Sequence, residues 1–285
     1  MSTLPALRAG RRPPSILRTK AGLAGATLVA LVLFAAVAGP WIAPASPVDG
    51  DLAARHLGPS WGHPLGTDFL GRDQLARVLF GARTSVLVAI LVMAVTVTIS
   101  VTVGVVAGYF GGFIDALLMR IVDIVLAFPS LILALAVAGF LGPGLRNAVI
   151  ALCAVWWAGF ARVIRGQVLV VRASDYIEGA TAIGAGHARI VLRHVLPNIT
   201  SPVSVLATLD VGQVILALAG LSFLGLGIQP PAAEWGRMIF DAKPYMERQP
   251  LEMAVPGAAI ALSVLAFNLL GDAIRDSLDP TTRRR

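Results

Sequence analysis

Six long apolar runs restrict what this 285-residue chain can fold into. A helix needs ~20 consecutive apolar residues to cross the hydrocarbon core of a bilayer. The composition agrees, because 56% of the residues are hydrophobic and only 14% are charged. We therefore predict an all-α, polytopic membrane protein with six transmembrane helices. The runs cover residues 21–43, 84–108, 117–140, 145–161, 200–224 and 254–274, of which 145–161 is the shortest.

The distribution of basic residues predicts the orientation of the helices. If the N-terminus is inside, 15 Lys and Arg residues fall on the inner side and eight on the outer side. Cytoplasmic loops carry the excess of such residues. We expect both termini, and the polar segment 172–197, to lie in the cytoplasm.

These runs and their orientation divide the chain into segments. The segment 225–253 contains four prolines and four acidic residues and is expected not to cross the membrane. We predict a cytoplasmic tail at 1–20, a first helix at 21–43, a periplasmic segment at 44–83, a core domain at 84–274 that includes the loops 172–197 and 225–253, and a cytoplasmic tail at 275–285.

The first apolar run has a second interpretation. A basic tail, an apolar stretch and the sequence Ala36-Val37-Ala38 also resemble a signal peptide with its cleavage site. The apolar stretch is longer than the usual signal-peptide core, so we treat it as a helix that is kept. Cleavage would leave the topology of the later helices unchanged.

Several function classes conflict with the sequence. The basic residues flank membrane helices, which favours contact with lipid headgroups and gives no reason to expect nucleic-acid binding. The two lysines, Lys20 and Lys243, do not follow a glycine-rich phosphate loop, so we expect no ATP hydrolysis by this chain. Four scattered histidines and the single Cys153 offer neither a catalytic cluster nor a metal site. We predict a protein that is not an enzyme and binds no cofactor itself.

The segment 172–197 has the pattern of two short helices joined by a turn. Asp175 followed by Glu178 fits a capping box, which predicts a helix that starts at Asp175. Gly184 and Gly186 should end that helix, since glycine adopts backbone angles that other residues resist. A second helix over 188–196 is expected to stop at Pro197.

The same segment resembles the cytoplasmic loop of permease subunits in bacterial ABC importers. Its Glu178, Gly179 and Ala180, followed by Gly184 and by Leu196-Pro197, are similar to the E-A-A, G and L-P pattern of that family, with Gly179 where alanine is usual. Two further segments, 63–85 and 221–280, resemble signatures of the second permease subunit of dipeptide, oligopeptide and nickel importers. One departure is Leu218, which stands where the family commonly has a glutamate.

The resemblance implies a type I ABC importer permease fold in the bacterial inner membrane. It also implies a coupling loop that docks on an ATPase subunit. The expected partners are a second homologous permease, two ATPase subunits or a fused one that bind ATP and magnesium, and a periplasmic or lipid-anchored substrate-binding protein. The implied cargo is a di- or oligopeptide, with nickel or another small solute such as glutathione as the alternative. The coupling residues would be Asp175, Tyr176, Glu178, Gly179, Ala180, Gly184, Ala185, Leu196 and Pro197.

Polar residues inside the apolar runs are candidates for the translocation path. Asp210 is the strongest, because an ionisable group in a membrane helix usually faces an interior or a water-filled path. Gln213 and Asn268 are the other candidates. The alternative for Asp210 is a structural pairing with Gln213, an arginine or the partner subunit, or a position close enough to the cytoplasmic boundary for water to hydrate it. An autonomous secondary transporter would also need carboxylates in its membrane helices, and only Asp210 and Asp123 qualify.

The outer segments offer candidate contacts for a binding protein. We predict such contacts at Trp235, Arg237 and Tyr245, although Trp235 is equally suited to anchoring at the membrane interface. Arg72 and Asp73 are expected to pair with each other on the surface, where such pairs contribute little to stability.

Overall fold

The computed structural model describes residues 19–278, which form a bundle of α-helices. Over these residues there is no β-strand, and Thr67 and Asp73 form an isolated antiparallel bridge. The predicted tails 1–20 and 275–285 lie largely outside this described part. The helices are α1 (Lys20–Ile42), α2 (Gln74–Phe110), α3 (Gly112–Leu126), α4 (Ser130–Leu141), α5 (Leu145–Arg172), α6 (Asp175–Ala182), α7 (His187–Ile190), α8 (Leu196–Phe223), α9 (Trp235–Ala242) and α10 (Pro250–Leu278).

Five continuous helical segments within residues 19–278 are long and apolar enough to cross a membrane. They are α1, α2, α5, the segment His187–Phe223 and α10. A sixth crossing results if α3 and α4, which meet at an angle of 87°, count as one broken span. The prediction of an all-α, polytopic membrane protein is confirmed.

The third predicted span, 117–140, is wrong as a single helix. The chain leaves the helix after Leu126 and enters α4 at Ser130, with Pro129 at the N-cap position. Proline disfavours the helical conformation at the residue before it, here Phe128. The apolar run is continuous in sequence, but the helix is interrupted between Leu126 and Ser130.

Two helices extend beyond their predicted ends. α2 begins at Gln74 because the carboxylate of Asp73 caps it, accepting the N–H of Ala76 at 2.7 Å. α5 continues to Arg172 past the predicted end at 161. The arginines in this extension pair with acidic residues of α3, so the polar residues prolong the helix where a loop was expected.

The prediction that Pro197 ends a helix is wrong. The segment His187–Phe223 is one helical segment of 37 residues that contains a π-helical turn at Val191–Val195. In this wide turn the N–H of Leu196 donates to the carbonyl of Val191, five positions earlier. Proline cannot donate to the carbonyl four residues before it. The π turn shifts the hydrogen-bond register immediately before Pro197, which allows the helix to continue.

Small residues let α2 and α5 approach closely at the centre of the bundle. Gly104 and Gly108 of α2 are spaced four apart and face α5. A Cβ at Gly104 would lie 2.8 Å from the carbonyl oxygen of Ala161, and one at Gly108 would lie 2.9 Å from that of Arg165. Such small-xxx-small pairs are typical of helix contacts in membranes. The other side of α2 packs on α8, while α1 and α10 pack together beside it.

Candidate functional site

The polar loop between α5 and α8 begins as predicted but is capped differently. α6 starts at Asp175, which confirms the predicted helix start. The N-cap residue is Ser174, however, and no side chain caps this end. Asp175 is already helical and Glu178 does not reach back, so the predicted capping box is wrong.

Gly184 ends α6, as its position in the sequence predicts. Its φ of 83° lies in the left-handed region. Its N–H donates to Thr181 and the N–H of Ala185 donates to Ala180, both at 3.0 Å, which is a Schellman motif. Gly186 has an ordinary negative φ and instead forms the N-cap of α7.

This loop presents an exposed surface held by a small buried anchor. Ile177 is 4% exposed, whereas Ile183 is 87% and Leu192 63% exposed. Ile183 and Leu192 are therefore accessible to another surface. Of the predicted coupling residues, Asp175, Tyr176, Glu178, Gly179, Gly184 and Pro197 are exposed, and Ala180, Ala185 and Leu196 are half-buried.

Two hydrogen bonds connect the loop with the rest of the bundle. Tyr109, near the end of α2, hydrogen-bonds through its hydroxyl to Nδ1 of His187 at 2.9 Å. Asn198 of α8 donates to the hydroxyl of Tyr176 at 3.3 Å. The loop therefore lies at the same end of the bundle as the turn between α2 and α3.

A cavity of about 310 Å³ lies among α3, α4, α5 and α8. Asp210 contributes the one ionisable side chain of its lining, and the aromatic rings come from Trp156 and Phe160. Gln213 is exposed and Asn268 is half-buried, and neither lines this cavity. Of the three predicted path residues, Asp210 is thus the one that lines this cavity. The remaining lining residues are Leu126, Ser130, Val155, Gly159, Val163 and Leu206.

At the other end of the bundle, a buried glutamate joins three helices. The carboxylate of Glu234 accepts the N–H groups of Gly236 at 2.9 Å and Arg237 at 2.8 Å, and so caps α9. It also accepts a hydrogen bond from the hydroxyl of Ser85 on α2 at 3.2 Å, and Ser222 of α8 lies beside it. Burial raises the pKa of Glu234, while these hydrogen bonds act in the opposite direction.

The predicted surface role of Trp235 is wrong. The side chain is 3% exposed, packs against Gly81 and donates from Nε1 to the carbonyl of Val78 at 3.0 Å. It therefore presents its ring neither to a partner nor to lipid. Arg237 and Tyr245 keep part of their surface exposed.

The predicted pairing of Arg72 with Asp73 is also wrong. Arg72 binds Asp68, with Nε and Oδ2 2.7 Å apart, and Asp73 binds Nδ1 of His63 at 2.9 Å. Both residues are buried, in contrast to the predicted surface location. Residues 68–72 form a turn before α2, so the spacing of Asp68 and Arg72 is not the helical pattern by which sequence reasoning finds such pairs.

Arg77 extends this ionic cluster from the outer segment to α9. Its side chain is 2% exposed, and its guanidinium lies 3.4 Å from Asp68 and 3.9 Å from Asp241. It also donates to the carbonyl of Pro47 at 2.9 Å. The cluster joins residues far apart in the chain, and spacing alone gives no sign of it.

Among residues 19–278, no three His, Cys, Asp or Glu side chains come together as metal ligands. The described residues thus form a membrane-crossing bundle with an exposed polar loop at one end and a cavity among its helices.

The comparisons with known proteins identify the family. Residues 100–284 match the binding-protein-dependent transport system inner membrane component family, to which this chain belongs. Residues 15–59 match the N-terminal transmembrane domain of oligopeptide transport permease C. The chain is a permease subunit of an ABC importer and a multi-pass protein of the inner membrane, as its motifs indicate.

Three relatives with names that refer to different cargoes are similar to this chain over most of their length. It is 43% identical over 255 residues to the probable D,D-dipeptide transport system permease of Escherichia coli K12, covering 90% of this chain and 86% of that protein. The nickel transport system permease of the same strain is 42% identical over 253 residues, 89% of this chain and 91% of its own. A glutathione transport system permease of Shigella flexneri is 45% identical over 264 residues, 92% of this chain and 87% of its own.

Proposed function

We propose that this chain and a second homologous permease form the translocation path of an ATP-driven, binding-protein-dependent importer. The loop 172–197 docks on an ATPase subunit and transmits its movement to the membrane helices. The observation that carries this proposal is the exposed α6, anchored by Ile177, with Tyr176 on the helix and Ile183 at its C-cap both exposed. ATP and magnesium are bound by two ATPase subunits or a fused one, since this chain has no phosphate loop.

The loop and both termini face the cytoplasm in this proposal. Two contacts support the placement of the loop and of the outer segments at opposite ends of the bundle. The Tyr109–His187 hydrogen bond holds the loop beside the C-terminal end of α2, and the Trp235–Val78 hydrogen bond holds α9 beside the N-terminal part of α2. The outer end then faces the periplasm and the substrate-binding protein, with Arg237 and Tyr245 as candidate contacts.

The proposed cargo is a di- or oligopeptide, which passes a path that includes Asp210, Gln213 and Asn268. The names of the dipeptide relatives support this cargo. Nickel and glutathione are the second candidates, because relatives named for them are about equally similar to this chain. Binding measurements on the receptor encoded with this permease distinguish the three cargoes.

A bulky residue on α6 tests the docking proposal. A Cβ at Gly179 meets no atom within 4 Å and its φ is not left-handed, so Gly179→Trp alters the surface and leaves the fold intact. We expect the variant to insert normally but to lose copurification with the ATPases and uptake. Gly139→Trp, at an equally open glycine of α4, is the control.

Two outcomes contradict the proposal. Normal ATPase binding and uptake by Gly179→Trp would remove the docking role of α6. Transport by the purified single chain without ATPases would instead indicate an autonomous secondary transporter.

A further inference from the structure

Asp210 is a carboxylate without a partner inside a membrane-crossing helix. It is half-buried in α8, and within residues 19–278 no group makes a hydrogen bond or ion pair with it. The acidic residues of α3 differ, since Asp115 pairs with Arg165 and Asp123 with Arg162. A charged side chain at the centre of a membrane helix costs about 2.5–3.5 kcal/mol on insertion scales. The counter-charge of Asp210 must therefore come from outside these residues, and the pocket beside it favours a ligand over a residue of the second permease.

The space beside Asp210 has the size of a small binding pocket. Its volume is about 310 Å³, at the lower end of the range for ligand pockets, roughly 300–1,000 Å³. Leu126 and Ser130, which flank the break between α3 and α4, close one side of it. A pocket of this size holds one amino-acid residue of a larger solute.

Gly159 keeps this pocket open. It lies in the wall contributed by α5, and a Cβ placed on it meets no atom within 4 Å. A side chain at position 159 would therefore fit without a clash within this chain. A larger side chain at position 159 would instead occupy part of the pocket.

The chemistry of the lining selects an organic cation. No Lys, Arg or His side chain lines the pocket, so its one charge is the negative charge of Asp210. The rings of Trp156 and Phe160 provide faces that attract ammonium groups. Nickel is disfavoured, because such a metal requires several nitrogen, sulfur or oxygen ligands and this pocket offers one carboxylate. The hydroxyl of Ser130 adds a hydrogen-bonding group for a neighbouring carbonyl.

We propose that the pocket at Asp210 is a subsite for the protonated amino group of the transported solute. Asp210 pairs with the ammonium group, and the aromatic wall receives the adjoining side chain. This inference rests on the proposed import function and adds to it a chemical class, primary amines that are positively charged at neutral pH.

Thiol chemistry tests the charge selectivity without any transport. The single Cys153 is first replaced by alanine, and Gly159→Cys then places a thiol in the pocket of the assembled transporter. Two methanethiosulfonate reagents are compared, one carrying trimethylammonium and one carrying sulfonate. We expect Asp210→Asn to lower the cation-to-anion ratio of reaction rates about tenfold at position 159. The ratio at position 166, introduced by Gly166→Cys on the same helix, should stay constant. An unchanged ratio at position 159, or a thiol there that reacts with neither reagent, overturns the proposal.

Uptake of alanyl-alanine separates this inference from the proposed cargo. Asp210→Asn and Gly159→Leu are each expected to reduce uptake about tenfold, while Gly166→Leu, at an open glycine outside the pocket, stays near wild type. Wild-type uptake with no effect of Asp210→Asn refutes the subsite and leaves the importer proposal standing. If wild type imports no alanyl-alanine, the peptide cargo is wrong. The cation-to-anion ratio of thiol reaction rates at position 159 then shows whether the subsite exists.

Discussion

The hydroxyl of Ser85 donates a hydrogen bond to the carboxylate of Glu234, with 3.2 Å between Oγ and Oε1. The two residues are 149 positions apart, and Glu234 is fully buried. This contact ties the outer part of α2 to the start of α9. It makes the stability of the outer end depend on one buried carboxyl group.

Glu234→Gln should change how stability depends on pH. Because burial raises the pKa of Glu234, the folded protein holds the proton more tightly than the unfolded chain does. The stability that Glu234 contributes is therefore complete below its ordinary pKa of 4.5 and is lost as pH rises through the raised folded value. We expect the melting temperature of Glu234→Gln to rise relative to wild type as pH increases above this point. Thermal unfolding of the detergent-solubilised protein measures this, with the exposed Glu247→Gln as control. Parallel curves for wild type and Glu234→Gln would contradict the prediction.

Arg77→Ala should strongly destabilise the outer end of the protein. The substitution leaves Asp68 and Asp241 with less compensation for their charges in a buried cluster. Removing one partner of a buried ionic group costs roughly 3–5 kcal/mol. The exposed Arg248→Ala is the control and should change the free energy of unfolding by less than about 0.5 kcal/mol. Denaturant unfolding measures both variants, and equal effects would show that the cluster contributes no stability.

Gly104→Ala should weaken the packing of α2 on α5. The added methyl group would lie 2.8 Å from both the Ala161 carbonyl and the side chain of Ile164, so the helices must move apart. We expect a loss of about 1–3 kcal/mol from overpacking. Gly166→Ala, on α5 with no neighbour within 4 Å, should instead stabilise the helix by about 0.5–1 kcal/mol. Thermal unfolding of the two variants compares them, and stabilisation by Gly104→Ala would refute the close contact.

Tyr109→Phe should loosen the connection between α2 and the loop. It removes the hydrogen bond to His187 but keeps the edge contact with Phe110. A net hydrogen bond is worth about 0.5–1.5 kcal/mol, so assembly should persist. If this bond transmits movement from the ATPase, uptake per ATP hydrolysed falls severalfold. His187→Ala should have the same effect, and the double variant no further effect. Additive losses would show that the two residues act separately.

Local signals in the sequence account for much of the bundle and of the loop. The hydropathy of the long runs locates the membrane-crossing helices, since each run is long enough to cross a bilayer. Gly184 marks the end of α6 because its left-handed conformation is a local property of glycine. The start at Asp175 was predicted correctly, but from a capping box that the structure does not form.

The errors concern features that depend on distant contacts or on a change of backbone register. Pro197 normally ends a helix, but the π turn before it removes that restriction. Tryptophan is common at membrane interfaces, which suggested a surface role for Trp235. Its burial depends on a contact with Val78, 157 positions away, that the local sequence does not reveal. The break before Ser130 had a local signal in Pro129, which the apolar composition of the run concealed. Asp210 was predicted as a path residue from its location alone, and its pocket required the positions of four helices.

The continuous segment His187–Phe223 has a mechanical consequence. At 1.5 Å per residue it is about 55 Å long, which is enough to cross the whole membrane. Its first residue, His187, is joined to α2 through Tyr109. Near its other end, Ala219 packs against Gly236 of α9, and α9 is joined to α2 through Glu234 and Ser85. Two helices joined near both ends cannot slide past each other while both contacts hold. A change in access from one face to the other must therefore either move the two helices together as one unit or break one of these contacts.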